Sequence, residues 1–173
     1  MPVLVTRRLA DDPCPLTEPC SERHPATVLF ADISGFTALT EMLGRQGPAG
    51  VEKVAAGLNG YFERLTAIIA AHGGDVVKFA GDALTAIWLG PPGKRDLRAA
   101  ALPAIACGMA IQSGLYGYRI SDGVDLSLRV GIGASHVAAV HVGGLDGRWE
   151  LVLTGLALAD GLRAEALAEP GEV

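Results

Sequence analysis

Two short apolar runs joined by a tight turn constrain the fold of this chain more than any other feature. The runs are Asp75–Phe79 and Ala83–Trp88, and Ala80–Asp82 connects them, which is the pattern of a β-hairpin. Helical periodicity precedes the hairpin over Ala49–Ala71 and follows it over Asp96–Tyr116. A simple alternating parallel sheet leaves no place for a hairpin between helices. The pattern predicts an α+β fold in which helices pack on one face of an antiparallel sheet.

The other predicted elements fit a single domain that begins near residue 26. The further strands are Ala26–Ala31, Leu126–Gly133, Val137–Val142 and Trp149–Thr154, and the further helices are Phe36–Leu43 and Leu156–Ala168. Residues 1–25 are rich in proline and are expected to form a leader or linker. Residues 26–173 are expected to form the functional domain, and a chain of 173 residues is long enough to bury a core.

Charge and cysteine usage exclude several classes of protein. The net charge is −5 and no basic stripe is present, so nucleic acid is not an expected partner. The three cysteines have no paired spacing, which indicates reduced thiols and a cytoplasmic location. The stretch between Arg98 and Arg119 is free of charge, but it contains Pro103 and Gln112. It is interpreted as a packed helix, and no membrane span is expected.

Asp32 ends the apolar run Val28–Ala31 and is the first candidate functional residue. A carboxylate at the end of a buried strand is costly unless something pairs it. In one interpretation, Asp32 or Ser34 caps the helix that follows. In the other, Asp32 binds a hard metal ion such as Mg²⁺, and the backbone N–H groups of Ser34–Thr37 face substrate phosphates.

A second carboxylate favours the metal interpretation. Asp82 lies in the turn of the predicted hairpin, beside Gly81 and after another apolar run. Turn chemistry alone explains a Gly-Asp pair. Two such carboxylates at the ends of apolar strands are better explained together, because adjacent strands would bring them into one metal site. Lys78 precedes Asp82 on the hairpin and is either a solvated lysine or a third site residue.

These residues lie in motifs that resemble those of class III nucleotidyl cyclases. The segments "FADISGFT" and "KFAGDA" look like the two metal motifs of that family. The longer segments "FADISGFTALTE", "LNGYFERL", "GGDVVKFAGDALTAIW" and "LRVGIGA" are most similar to the first catalytic domain of bicarbonate-responsive soluble adenylyl cyclases and their bacterial relatives. The resemblance implies a ferredoxin-like antiparallel sheet with helices packed on it.

The resemblance also implies a reaction and a metal site. Asp32, Asp82 and the backbone carbonyl of Ile33 would hold two Mg²⁺ or Mn²⁺ ions, and ATP would be converted to 3′,5′-cyclic AMP and pyrophosphate. Positioning and charge neutralisation do most of the catalysis in such transfers. The loop residues that would contact the substrate phosphates are Ser34, Gly35, Phe36 and Thr37.

In this family the site is shared between two cyclase domains, one of which supplies the metals. The other supplies a base-selecting lysine with a polar partner, a ribose-orienting asparagine and an arginine for the transition state. Lys78 occupies the lysine position and has the adenine-type identity. Arg163, in "GLALADGLR", occupies the arginine position and is the expected catalytic cation.

Two departures from the family pattern change the expected role of this chain. Ala159 stands at the asparagine position and cannot bind a ribose hydroxyl, and Val152 replaces the polar partner of the lysine. The chain is therefore expected to contribute the metal half of a site completed by a second cyclase domain, in cis or in trans. The alternative is a non-catalytic regulatory module that binds nucleotide and metal and controls an attached ATPase or another partner.

Two further expectations concern regulation and the end of the chain. In the resembled enzymes a degenerate second pocket takes a bicarbonate activator, but the arginine that helps there aligns with Leu162, which argues against bicarbonate sensing. The family domain continues with further strands after the position of Val173. The domain is therefore expected to be C-terminally incomplete and to expose a sheet edge.

Overall fold

A computed structural model describes residues 3–34, 39, 48–91, 96–121 and 124–173. The helices are α1 (Val3–Asp11), α2 (Pro48–Ala71), α3 (Arg98–Leu115) and α4 (Leu156–Leu167). The strands are β1 (Cys20–Ser34), β2 (Asp75–Ala80), β3 (Ala83–Leu89), β4 (Tyr118–Ser121), β5 (Val124–Gly143) and β6 (Trp149–Thr154). A short 3₁₀ turn, Leu145–Gly147, joins β5 to β6.

The six strands form one antiparallel sheet in the order β2-β3-β1-β5-β4, and β6 also pairs with β5. β1 lies at the centre, where Asp32 pairs with Ala83 of β3 and with Arg129 of β5. The predicted hairpin is present as β2 and β3, and the predicted α+β class is confirmed. The site discussed below lies where β1 and the β2–β3 turn end together.

Helices pack on both faces of the sheet, so the expectation that they cover one face is wrong. Leu29, Ala31 and Ile33 of β1 face the core formed with α2 and α3. Val28 and Phe30 point to the opposite face, where the buried residues include Ala157 of α4. Because successive side chains of a strand point to opposite faces, the continuous apolar run in β1 makes the strand apolar on both faces.

Glycines on β5 explain why α4 can lie so close to the sheet. A Cβ atom at Gly131 would overlap the backbone of Glu165, and one at Gly133 would overlap the carbonyl oxygen of Ala157. The helix therefore packs its backbone directly against the strand at positions that have no side chain. The glycines are visible in the sequence, but their role in packing can be assigned only when the helix that crosses them is known.

The two strands predicted between residues 126 and 142 are one continuous strand, β5. No turn residue with a positive φ interrupts it before Gly143, so the chain stays extended through Ala134–His136. The sequence analysis also missed β4, which pairs with the start of β5, and placed the start of β1 at Ala26 rather than Cys20. No helix was predicted for Val3–Asp11, which forms α1 within the stretch expected to be a leader or linker. The other helices and strands lie close to their predicted bounds, except that the predicted helix Phe36–Leu43 falls outside the described residues apart from Leu39, which is helical and buried.

Both ends of the chain contact the sheet. Leu4 of α1 is buried with the residues on the α4 face of the sheet. At the other end, Gly171 N donates to Leu128 O at 2.8 Å and Val130 N donates to Glu172 O at 3.2 Å. The division of the chain into a leader and a domain at residue 26 stays a prediction. No helix in the described ranges has the length and apolar character that a membrane crossing requires.

Candidate functional site

Asp32 and Asp82 lie at the same end of neighbouring strands. Asp32 is near the end of β1 and pairs with Ala83, and Asp82 directly precedes Ala83 in the β2–β3 turn. Both residues are half-buried, so each carboxylate is partly withdrawn from water yet open to a ligand. The topology thus brings together the two carboxylates that the sequence analysis singled out.

Arg129 is a cation at this site that was not singled out from the sequence. Its Nη2 donates to Asp32 Oδ2 at 2.6 Å, which is the distance of a strong charge-assisted hydrogen bond. This hydrogen bond to Asp32, helped by the negative charge of Glu165, raises the pKa of the Arg129 guanidinium above its usual value. Arg129 therefore stays fully charged and neutralises Asp32.

Glu165 of α4 completes a three-residue charge network. Its Oε1 lies 3.1 Å from Arg129 Nη2, and its side chain is only 15% exposed. This contact is an ion pair by distance but lacks hydrogen-bond geometry, because Glu165 Oε1 is a buried atom with no hydrogen-bond partner in the described part of the chain. Arg129 Nε is also buried and has no hydrogen-bond partner in the described part of the chain. The network is thus well bonded at Asp32 and incompletely bonded at Glu165.

The oxygen donors fit a hard divalent cation that also uses substrate oxygens. Within the described ranges no group of three or more His, Cys, Asp or Glu side chains could hold a metal ion. Two carboxylates and a backbone carbonyl are few ligands, but Mg²⁺ commonly takes one or two carboxylates and completes its shell with water and phosphates. Asp32 is paired with Arg129, which a metal ion would have to displace.

The other residues predicted at this end of the sheet are only partly described. Ile33 is 2% exposed and its side chain is anchored in the core, which holds its backbone in place. Ser34 is half-buried at the last position of β1 and pairs with Ser127. Gly35, Phe36 and Thr37 lie outside the described residues.

Lys78 lies in a separate groove between β2, β6 and α4. The groove has a volume of about 420 Å³, and its lining includes Lys78, Glu150, Val152 and Leu162. The structure therefore brings together the predicted base-selecting lysine and the position of its missing polar partner. Glu150, two positions before Val152 on β6, is a carboxylate in the same groove that the sequence analysis did not consider.

The two remaining family positions lie on α4, outside that groove. Arg163 is exposed on this helix. Ala159 is also exposed and lines a different cavity, of about 490 Å³, with Gly155 and His136. Within the described part of this single chain, the groove with Lys78 therefore does not include the arginine or asparagine positions.

Arg129 and Glu165 could have been suspected from sequence only in part. Arg129 stands in the motif "LRVGIGA" as a lone cation in an otherwise apolar strand, which is a usable signal. Glu165 follows Arg163 on a helix that also carries the exposed charge of Asp160, and nothing in the local sequence distinguishes it from them. Their contact joins a strand to a helix far along the chain, so only the tertiary structure reveals it.

The antiparallel sheet, with two aspartates at one end of neighbouring strands, fits the class of nucleotidyl cyclase catalytic domains. The chain belongs to the family described as the adenylate and guanylate cyclase catalytic domain, whose profile matches residues 19–173.

The chain is similar to several adenylyl cyclases of that family. Adenylate cyclase type 10 of Oryctolagus cuniculus is 32% identical over 158 residues, which cover 90% of this chain but 10% of that protein. Adenylate cyclase 1 of Rhizobium meliloti is 31% identical over 138 residues, which cover 78% of this chain and 19% of that protein. The crystal structure of the adenylyl cyclase CyaB from P. aeruginosa aligns with a TM-score of 0.70 at 27% identity, over 88% of this chain and 76% of that one. The chain is thus a cyclase catalytic domain related to adenylyl cyclases, and it spans a small part of the length of these curated relatives.

Proposed function

We propose that this domain converts ATP to 3′,5′-cyclic AMP and pyrophosphate with two Mg²⁺ or Mn²⁺ ions, and that it contributes the metal-binding half of a site shared with a second cyclase domain. The observation that carries the proposal is the placement of Asp32 and Asp82 at one end of adjacent strands, with the cation Arg129 held against Asp32. The family membership of the chain gives this placement its chemical meaning.

Asp32 and Asp82, with the carbonyl of Ile33, are the residues that would hold the ions. When bound, the metals lower the pKa of the attacking ribose hydroxyl and neutralise phosphate charge. Asp32 is fixed by strand pairing on both sides of β1, and Asp82 is held in the tight turn that joins β2 to β3, so the fold positions both carboxylates before substrate binds.

Other residues of this chain would bind the triphosphate. Ser34 ends β1, and the backbone N–H groups from Ser34 to Thr37 are proposed to face the phosphates. This arrangement stabilises the charge that builds on the leaving pyrophosphate.

The groove with Lys78 supports a purine-binding role. Lys78 donates hydrogen bonds and Glu150 accepts them, and apolar side chains such as Phe30 and Leu158 line the rest of the groove. Adenine presents a ring nitrogen acceptor and an amino donor, which match these two groups. The relatedness to adenylate cyclases favours ATP over GTP. Lys78 would contact the base at the other shared site, where the second domain supplies the metals.

The need for a second domain follows from what this chain lacks on α4 and β6. Ala159 offers no polar group to a ribose, and Val152, which is 44% exposed in the groove, offers none to a base. Arg163 is exposed on α4, where a cation could reach a nucleotide held partly by another domain. The proposed partner supplies the ribose and base contacts opposite Asp32 and Asp82.

The alternative proposal is a non-catalytic regulatory module that binds nucleotide and metal and controls an attached ATPase or partner. The observation that favours it is again the apolar identity of Val152 and Ala159. Retention of both aspartates, in a pairing that keeps them adjacent, favours the enzyme. For either role we propose a cytoplasmic location, because Cys14, Cys20 and Cys107 are all free.

The test is cyclic nucleotide production with Mn²⁺ from ATP and, in parallel, from GTP. We compare the chain alone, the chain mixed with a second class III cyclase domain, and the same mixture with Asp32→Ala. The proposal predicts cyclic AMP from the mixture and its loss with Asp32→Ala. Nucleotide binding without product in any mixture would instead establish the regulatory module.

A further inference from the structure

We propose that Glu165 is a positioning residue that takes over the Arg129 guanidinium when a metal ion takes Asp32, and so raises the metal affinity of the site. Arg129 would move its hydrogen bonds from Asp32 to Glu165 as the metal binds. This inference rests on the proposed metal site at Asp32. It assigns a role to a residue that belongs to none of the family motifs considered above.

The distances show that one guanidinium nitrogen serves both carboxylates. Arg129 Nη2 is 2.6 Å from Asp32 Oδ2 and 3.1 Å from Glu165 Oε1. The shorter contact is a hydrogen bond and the longer one is not. The metal-free chain therefore holds Arg129 on Asp32, and Glu165 is already within reach as the second partner.

Two unsatisfied atoms show where the guanidinium can bond next. Arg129 Nε and Glu165 Oε1 are buried and lack hydrogen-bond partners among the described residues. Each unsatisfied buried polar atom is costly, so a rotation that brings the guanidinium N–H groups onto Glu165 would be favourable. Arg presents several N–H donors in a rigid fork, so this rotation can exchange one carboxylate partner for another without loss of charge pairing.

The backbone fixes Glu165 firmly enough to serve as this acceptor. Gly131 of β5 lies against the backbone of Glu165, and Gly133 lies against Gly161 and Ala157 of α4. Because α4 packs closely on the strand, the backbone of Glu165 lies directly beside β5. The Glu165 carboxylate is therefore available as an acceptor beside β5, the strand that carries Arg129.

The effect on metal binding follows from charge competition at Asp32. A divalent ion must displace Arg129 from Asp32, and a displaced guanidinium in a part-buried site needs another counter-charge. With Glu165 present that counter-charge is at hand. With Glu165→Gln it is absent, so Arg129 stays on Asp32 and competes more strongly with the metal.

The experiment measures Mn²⁺ affinity of the full chain without nucleotide, by the paramagnetic signal of free Mn²⁺. The variants are Glu165→Gln, Arg129→Gln, the double variant of these two, and Asp32→Asn. Asp160→Asn is the matched control, because it removes one negative charge from an exposed position of the same helix. Thermal unfolding of each variant checks that it is folded.

The proposal predicts that Glu165→Gln weakens Mn²⁺ binding about tenfold, as is common for groups that support a metal ligand. Arg129→Gln should bind Mn²⁺ more tightly, and Glu165→Gln should then have little further effect in the double variant. Asp160→Asn should leave the affinity unchanged.

Three outcomes separate the failure of this inference from failure of the proposed function. If Glu165→Gln matches wild type, Glu165 has no positioning role, although the metal site stands. If it weakens binding equally with and without Arg129, Glu165 acts directly on the ion, and the transfer of Arg129 is wrong. If wild type shows no Mn²⁺ binding that depends on Asp32, the metal site itself is wrong, and this inference is wrong with it.

Discussion

Asp32 shows how a single residue can be costly to the fold and valuable to the site. Its carboxylate is part-buried at the end of an otherwise apolar strand, and Arg129 compensates it at 2.6 Å. Replacing a buried ion pair by apolar groups often leaves a protein as stable or more stable, whereas removing one partner destabilises it. The pair is thus better explained by the chemistry of the site than by its contribution to stability.

Cysteine reactivity is a residue-scale prediction with a clear pH dependence. Cys107 is fully buried in α3, and burial raises the pKa of its thiol to about 11 from 9.0. In the folded chain we expect iodoacetamide at pH 8 to modify the exposed Cys14 and to spare Cys107.

The sign of this pH effect follows from the raised pKa. The folded state favours the neutral thiol, so the contribution of Cys107 to stability is fully present below pH 9.0 and is lost as pH rises towards about 11.

Mass spectrometry of tryptic peptides measures the modification, with the urea-unfolded chain as the control in which all sites react. Rapid labelling of Cys107 in the folded chain at pH 8 would show that α3 does not pack as described.

At the scale of elements, the contact between α4 and β5 determines where Glu165 and Arg163 lie. We expect Gly131→Ala to destabilise the chain by about 1–3 kcal/mol, because the added methyl group would overlap the backbone of Glu165. It should also weaken the Arg129–Glu165 contact. Chemical unfolding followed by circular dichroism measures the change.

Gly114→Ala is the matched control for that substitution. Gly114 lies in α3 and is exposed, and a Cβ there would meet only Ile68 Cδ1 at an ordinary 3.6 Å. Alanine is the better helix former, so this variant should be as stable as wild type or more stable by up to about 1 kcal/mol. If both variants unfolded at the same denaturant concentration, the close packing of α4 on β5 would be wrong.

Most elements could be predicted from the sequence, and the errors have physical causes. The β2–β3 hairpin and α2 carry strong local signals, namely a Gly-Asp turn and a long helical repeat. The extent of β5 could not be predicted, because its glycines look like breaks in the sequence but serve as contact points for α4 in the structure. The second helical face of the sheet was missed for the same reason.

The candidate site was predictable to a similar degree. Asp32 and Asp82 stand at recognisable ends of apolar runs, and the structure places them at the same end of neighbouring strands. Glu165 and Glu150 were missed, because their importance comes from contacts with Arg129 and with the groove of Lys78 that no local pattern encodes.

At the scale of the whole molecule, this chain keeps the metal-binding aspartates but lacks the polar residues proposed to bind ribose and base. Restoring those polar residues should therefore restore activity. We expect the double substitution Val152→Asp, Ala159→Asn to let the chain form cyclic AMP without a partner, since two copies could then supply both halves of the site. A gain of at least about tenfold over wild type is expected, because a hydrogen bond to a charged group contributes about 1.5–3 kcal/mol.

The control for this restoration is the same double substitution with Asp32→Asn, which should remain inactive. Size-exclusion chromatography with light scattering establishes whether the variants associate. Association without any gain in cyclic AMP would indicate that Val152 and Ala159 are not the positions that limit activity.

One measurement tests the central claim, that this chain supplies the metals to a site shared with a second domain. The partner is a class III cyclase domain that keeps its ribose and base residues but has lost its own two metal-binding aspartates. Cyclic AMP formed from ATP and Mn²⁺ is measured with the wild-type chain and with the Asp32→Asn chain. The account predicts product with the wild-type chain and essentially none with Asp32→Asn. Equal product from both chains, or none from either although the two domains associate, would contradict it.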